Sequence, residues 1–426
     1  MFLDFLNNPY TAAVIKSAIV IFALLTAFAY LTLIERRVVA KIQGRLGPNR
    51  AGPFGIFQPV ADGIKMAFKE QIVPSQAKKF IYLIAPIISV IVALSAFAVI
   101  PIGNNWINGK PSVWDPWIGD INVGLLWILS MSSLAVYGIV LGGWSSGNRY
   151  SLLGSLRSAA QMVSYETSLG LALSGTLMWA GTLSVVSIVH AQLNQGIWFV
   201  FAQPLGFVIY LIAAIAEVNR APFDLPEAEQ ELTAGYLTEY SGLRWSLYQM
   251  AEYINMITVS AVASTVFFGG WGLFGLGDNI PGLTIVFFLI KVAIFLFLFM
   301  WIRATLPRIR YDRLMRLGWT TLLPLSVLNI VITATVVALG WPWWVNGLAG
   351  LVVIAAVLLY ERQQVLRRQA ELAAVEKALP ASVRLVKFER VAKEPSPTAQ
   401  EQQVAQEVGA IVGGTGHPGS SPHPGS

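Results

Sequence analysis

No cysteine occurs in the 426 residues, and of the three histidines two fall in the last ten positions. Thiolate-bound iron–sulfur clusters and disulfides are thereby excluded, and haem or zinc is left almost without donors. The chain alone cannot carry electrons. Charge is scarce too: 12% of residues are Asp, Glu, Lys or Arg against 55% hydrophobic, and the mean hydropathy is +0.62. That balance excludes an ordinary soluble domain and predicts an all-α, polytopic integral membrane protein. Neither GxGxxG nor GxxxxGK[ST] is present, so the glycine-rich stretch 44–55 gives no support to a phosphate cradle. The net charge of +6 sits between apolar segments and not in a stripe with interleaved aromatics, which argues for membrane topology and against nucleic acid. No internal repeat is found, unlike the many transporters built from duplicated halves. The first residues lack the basic start and small-residue cleavage site of a signal peptide and read as a retained first span.

Apolar stretches long enough to cross the hydrocarbon core, about 20 residues each, fall at 11–34, 80–101, 121–142, 158–180, 197–217, 246–268, 283–303, 320–340 and 343–360. About nine spans are expected, the fourth being the weakest because Arg157, Gln161 and Glu166 lie at its start. Lys and Arg accumulate in the odd-numbered loops, from Arg36, Arg37 and Lys41 in the first to Arg308, Arg310, Arg313 and Arg316 in the seventh. By the positive-inside rule these loops are cytoplasmic, the N-terminus is outside and the C-terminus inside. Residues 1–360 form the membrane domain, 361–379 a helical extension, and 380–426 a polar tail ending in a Gly/Pro/Ser/His-rich stretch, expected to be disordered.

Against this apolar background the acids stand out. Five carboxylates, Glu217, Asp224, Glu227, Glu229 and Glu231, follow the fifth span, while Glu35 ends the first, Glu166 enters the fourth and Glu252 begins the sixth. All fall toward the expected cytoplasmic side. A hydrated carboxylate zone there suits a path for protons or cations; the simpler alternative is pairing of Glu217 and Glu252 with Arg220, Arg244 or Arg303. In the first loop Phe57, Val60, Ile64, Ala67 and Phe68 recur at helical spacing, with Asp62, Lys65 and Lys69 elsewhere on the helix. This predicts an amphipathic helix at the interface, serving as an anchor or as one wall of a pocket for an amphiphile whose head meets Arg36, Asp62 or Lys65. The segment 301–319 mixes cations with apolar residues and suits docking to an acidic protein surface. Lys291 lies inside the seventh span, where it either snorkels outward or pairs with a buried acid.

At four motifs the chain closely resembles a family of membrane subunits, the H or ND1-type subunits of NADH-quinone oxidoreductase, respiratory complex I. They are Glu35-Arg-Arg with Gln43–Arg50, then Gln58–Lys65, Glu217–Glu229 and Arg303–Asp312. The likeness covers roughly residues 10–340; the family usually has eight spans, so the ninth helix and the tail depart from its pattern. The resemblance implies a membrane subunit that forms the quinone-access chamber with peripheral-arm subunits and couples quinone reduction to proton translocation. It implies ubiquinone or menaquinone as substrate, with flavin, iron–sulfur clusters and the NADH site in partner chains, and antiporter-like and small membrane-arm subunits as further partners. The location implied is the bacterial cell inner membrane. By motif position Phe57, Arg36, Asp62 and Lys65 would line or border the chamber, and Glu35, Glu166, Glu217, Asp224, Glu227, Glu229, Glu231 and Glu252 would form an acidic funnel. Arg303, Arg308 and Arg310 would support the peripheral-arm interface, and no residue would bind metal.

Two other readings use the same acids. One is the related membrane subunit of a membrane-bound hydrogenase or formate hydrogenlyase; the other is a stand-alone ion transporter. The long acidic motif and the Glu35-Arg-Arg loop look like the quinone-linked branch, and the large polar loops suit partner docking better than solitary transport.

Overall fold

A computed structural model describes residues 8–104, 114–224, 234–273 and 281–378. The motif acids Glu227, Glu229 and Glu231 lie outside the described residues. The chain divides into two units, Met1–Val357 and Leu358–Ser426; in the second the described part, 358–378, is helical.

Helix α1 (Pro9–Ile42) starts where the Asn8 side chain accepts the Tyr10 amide at 3.1 Å and Pro9 supplies the preset φ of a first turn. Its 34 residues extend about 51 Å, well beyond a hydrocarbon core of ~30 Å, so the end bearing Glu35 and Arg36 projects from the apolar layer. A tight Gly/Pro segment leads to α2 (Gln58–Phe68), which has no buried residue. Val60, Ile64 and Phe68 leave it with an exposed apolar face.

Then follow α3 (Lys79–Ala96), α4 (Gly124–Ser145), α5 (Arg149–Ala180), α6 (Val185–Gln195), α7 (Phe199–Ala202), α8 (Pro204–Glu217) and α9 (Gly242–Phe267). The set closes with α10 (Pro281–Thr305), α11 (Tyr311–Arg316), α12 (Leu323–Ala338) and α13 (Trp343–Ala378), a π-helical turn (Leu317–Leu322) joining α11 to α12. Among the described residues seven helices are long and apolar enough to cross a membrane, or eight if α5 and α6, bent by 55° at their junction, form one span. The protein is a multi-pass membrane protein. Its central helix is α9, which packs on α1, α3, α6 and α10; α5 packs on α4, α8 and α12.

Two expected spans differ in the structure. The fourth qualifies only jointly with α6, because Arg157, Gln161 and Glu166 dilute its apolar content. The fifth is interrupted: Pro204 has no amide to continue α7, so the helix restarts there, and α8 is 14 residues, about 21 Å. The break is closed by side chains. Asn346 Nδ2 donates to Ala202 O at 2.7 Å, and Gln203 Nε2 donates to Thr333 Oγ1 at 2.7 Å. In lipid an exposed backbone carbonyl would have no such partner.

Lys291 takes neither of its two expected courses. Its ammonium donates to the carbonyls of Phe268, Gly270 and Gly272 at 2.7, 2.8 and 2.6 Å and lies 5.0 Å from the centre of the Trp198 ring. The turn after α9, with Gly269 and Gly270 at positive φ, converges three carbonyl dipoles on one cation.

Candidate functional site

The chain after α8 turns through Asn219 at φ +55° into a loop that buries Arg220. Gln161, fully buried on α5, holds that loop by donating to both Ala216 O and Phe223 O at 2.8 Å. The loop in turn meets the segment after α10, where the Ile309 amide donates to Pro222 O at 3.0 Å. These bonds bring together residues far apart in the chain.

Glu35, 4% exposed, is the focus of the resulting ion cluster. Arg220 Nη1 lies 3.3 Å from Glu35 Oε1, and Arg303 Nη1 pairs with the same oxygen. The Arg220 guanidinium also lies over the Tyr253 ring, 4.1 Å from its centre. Burial opposes charge on Arg220, but the Glu35 carboxylate, joined by Tyr253 and Glu252, outweighs it and raises the pKa, so the guanidinium stays charged.

Beside the cluster is a cavity of about 690 Å³, bounded by Glu35, Arg36, Gln43, Arg45, Tyr253 and Arg303 among others. A second, of about 310 Å³, lies between α1, α2 and α9 and shares Arg36 and Tyr253 with the first. Its walls combine Phe28, Met66 and Trp245 with Asp62 and Lys65. Asp62 organises the polar wall: it accepts from Arg36 Nη1 at 2.7 Å and Gln58 Nε2 at 3.1 Å, with Lys65 Nζ 3.8 Å away. Both volumes fall in the range of small-molecule sites, roughly 300–1,000 Å³.

A different chemistry surrounds the other acids. Glu217, at the end of α8, is in contact with Ser132 and in the field of Glu166, and its Oε2 has no hydrogen-bond partner. Glu166, near the middle of α5, accepts from the Ser133 hydroxyl. Glu252 accepts from the Tyr236 hydroxyl at 3.0 Å. Arg220 and Arg303 are therefore engaged with Glu35, and the pairing of Glu217 with either is not what the structure contains.

Other expected positions fall elsewhere. Phe57 is not among the residues lining these two cavities; its ring packs against Gly52, where an added Cβ would be 2.2 Å from it. Arg303 turns inward to Glu35, whereas Arg308 and Arg310 are exposed and Arg310 pairs with Asp312 at 3.6 Å. Asp224 is half-buried at the end of the described loop. Sequence reasoning overlooks Tyr253, which borders both cavities, and reads Gln161 only as a polar blemish in a span. One signal for Gln161 is present in the pattern: a polar residue deep in an apolar helix needs a partner.

Residues 15–334 match the family described as NADH dehydrogenase. The chain is 50% identical over 351 residues to the H subunit of NADH-quinone oxidoreductase from Deinococcus deserti, covering 81% of this chain and 89% of the relative. The chain belongs to this family. NADH-quinone oxidoreductase subunit 8 of Thermus thermophilus is 50% identical over 82% of this chain and 95% of its own length. The H subunit from Protochlamydia amoebophila is 54% identical over 72% and 92%. These relatives and the multi-pass helices identify a membrane subunit of the NADH-quinone oxidoreductase complex.

Proposed function

We propose that this member of the NADH dehydrogenase family forms the membrane wall of the quinone-access chamber and passes the consequence of quinone reduction to a proton path. The observation that carries the reading is the pair of adjoining cavities sharing Arg36 and Tyr253. One has an apolar flank between α1, α2 and α9 suited to a lipid-borne tail; the other is charged and suited to a polar head. Arg36, Asp62 and Lys65 border the site and can hydrogen-bond the head, and Arg303 at Glu35 adds positive charge where reduction creates negative charge.

On this reading NADH, flavin and iron–sulfur clusters reside in peripheral-arm subunits, which supply the electrons. Quinone reduced by two electrons needs two protons. Glu217, Glu166 and Glu252, with Asp224, Glu227, Glu229 and Glu231, make the acidic funnel toward the membrane-arm subunits, and Glu35, held by Arg220 and Arg303, is the fixed charge at its quinone end. Charges close together in a poorly screened interior interact strongly, so a charge change at the quinone alters the protonation of the acids as a group. The basic loops face the cytoplasm and the N-terminus lies outside. Exposed Arg308 and Arg310 form part of the docking face for the peripheral arm, and the bilayer covers the apolar helices.

The experiment uses membranes from a strain deleted for this gene and complemented with it. Restoration of NADH-driven quinone reduction together with a proton gradient, both sensitive to a quinone-site inhibitor, is expected. Quinone reduction that survives deletion, with loss of a hydrogen-evolving or cation-transport activity instead, overturns the reading.

A further inference from the structure

A group of tyrosines lies between the α3–α4–α9 packing and the loop before α9, apart from the cavities already described. Tyr82 and Tyr240 stack with ring centres 4.3 Å apart, and Tyr248 meets both Tyr240 and Tyr236 edge-on at 5.0 and 5.2 Å. All four are buried. Phenylalanine would serve such packing as well, whereas a buried hydroxyl must find a polar partner.

Here the hydroxyls do more than find one partner each. Tyr240 is within hydrogen-bonding reach of Ser145 and Tyr248, and burial raises its pKa, so it stays a neutral phenol that both donates and accepts. It donates to Tyr82 O at 3.2 Å, and Tyr248 donates to Gly138 O at 3.0 Å. Room for this pair comes from Gly142 on α4: a Cβ there would lie 2.2 Å from the Tyr248 hydroxyl oxygen and 3.4 Å from that of Tyr240.

The two ends of the array meet different surroundings. At the end toward the basic loops the Tyr82 hydroxyl donates to Glu239 O at 2.6 Å, and the half-buried Glu239 carboxylate accepts from Asn148 Nδ2 at 2.8 Å. At the inner end Tyr248 and Tyr236 line a void of about 20 Å³ with Glu217, Glu252, Asn255 and Asn219. A void above roughly 10–15 Å³ admits one water if it has two to four polar partners. A second void of about 40 Å³, again bounded by Glu217 and Asn255, continues to Ser132. The adjacent Ser133 holds Glu166.

We propose that Tyr240 and Tyr248, with one water beside Glu252, form a proton-supply line from the basic-loop face to Glu217, separate from the ion-paired cavity at Glu35. The inference rests on the reading of Glu217 and Glu166 as proton-carrying acids. Protons hop from hydroxyl to hydroxyl by rotation and exchange, and no group is consumed. The Glu35 cluster is a poor alternative route, since its carboxylate is engaged by two guanidiniums.

The test uses the whole complex in sealed membrane vesicles, with Tyr240→Phe and Tyr248→Phe made separately and Glu217→Gln as reference. Each is scored per assembled enzyme, counted by NADH oxidation with an artificial electron acceptor. The phenylalanine variants keep the rings, so coupled quinone turnover and proton uptake should fall by about tenfold with a larger solvent deuterium isotope effect, as for loss of a proton-transfer group. Wild-type turnover and isotope effect in both variants overturn the supply line, and if Glu217→Gln is slow in that experiment the acid reading itself stands. Wild-type proton uptake in Glu217→Gln overturns the acid reading and the supply line with it.

Discussion

Glu35 and Glu217 each sit near the end of an apolar helix, yet their neighbourhoods are opposites. Glu35 is held by Arg220 and Arg303, with Tyr253 under one of the guanidiniums. Glu217 has a serine, the field of another acid and one oxygen without a partner. The first arrangement is a fixed ion cluster: taking away one member leaves a buried charge uncompensated. The second is one in which protonation is the only ready way to change charge, and neighbouring carboxylates titrate as a coupled set. On the proposed function, the contrast separates a charged frame for the quinone head from a region suited to proton traffic, within one bundle.

The contrast is most severely tested at Arg220. Arg220→Met should leave Glu35 with one partner and cost about 3–5 kcal/mol, seen as a lower melting temperature of the purified complex or loss of the subunit from membranes. Unchanged stability would mean the cluster is wet and loosely held. Lys291 offers a third way to hold a buried charge, by neutral carbonyls and the face of the Trp198 ring. Lys291→Met strips the turn after α9 of its donor, and an unsatisfied buried polar group costs about 1–3 kcal/mol; the drop in melting temperature should be clear but smaller than for Arg220→Met.

Glu217→Gln addresses the other side. It should leave the amount of assembled complex near normal and lower proton pumping by about tenfold, equivalent to ~1.4 kcal/mol, measured in sealed vesicles. If it instead prevents assembly, Glu217 belongs with Glu35 as a structural charge. The smallest effect is expected at Asp62, whose partners Arg36 and Lys65 are largely exposed. Asp62→Asn should change stability by at most about 1 kcal/mol and raise the apparent KM for quinone severalfold through loss of the ordered Arg36; an unchanged KM would remove Asp62 from the proposed head-group wall.

Most helices can be placed from hydropathy, because every backbone group in lipid must be satisfied within its own helix. That same requirement explains the fifth expected span, which the structure interrupts. An apolar run of ordinary length conceals the break at Pro204, where Asn346, distant in the chain, satisfies the Ala202 carbonyl and Thr333 holds the Gln203 side chain. Likewise the acids are visible as costly charges in an apolar sequence, but which arginine meets which acid is not. Arg303 looks like a surface cation beside Arg308 and Arg310, and only its inward turn to Glu35 distinguishes it.

Composition and pattern alone determined that this is a helical, multi-pass membrane protein without thiol ligands, and singled out a few acids as costly charges in an apolar chain and an amphipathic helix after the first span. Those properties are local, being set by side-chain type, spacing and the length of apolar runs. The tertiary structure decided the rest: two arginines on Glu35, one serine and the field of Glu166 at Glu217, carbonyls around Lys291, and glycine-made room for Tyr240 and Tyr248. Each joins residues from separate helices, and the sign and strength of such interactions depend on distances of a few ångströms that only packing sets.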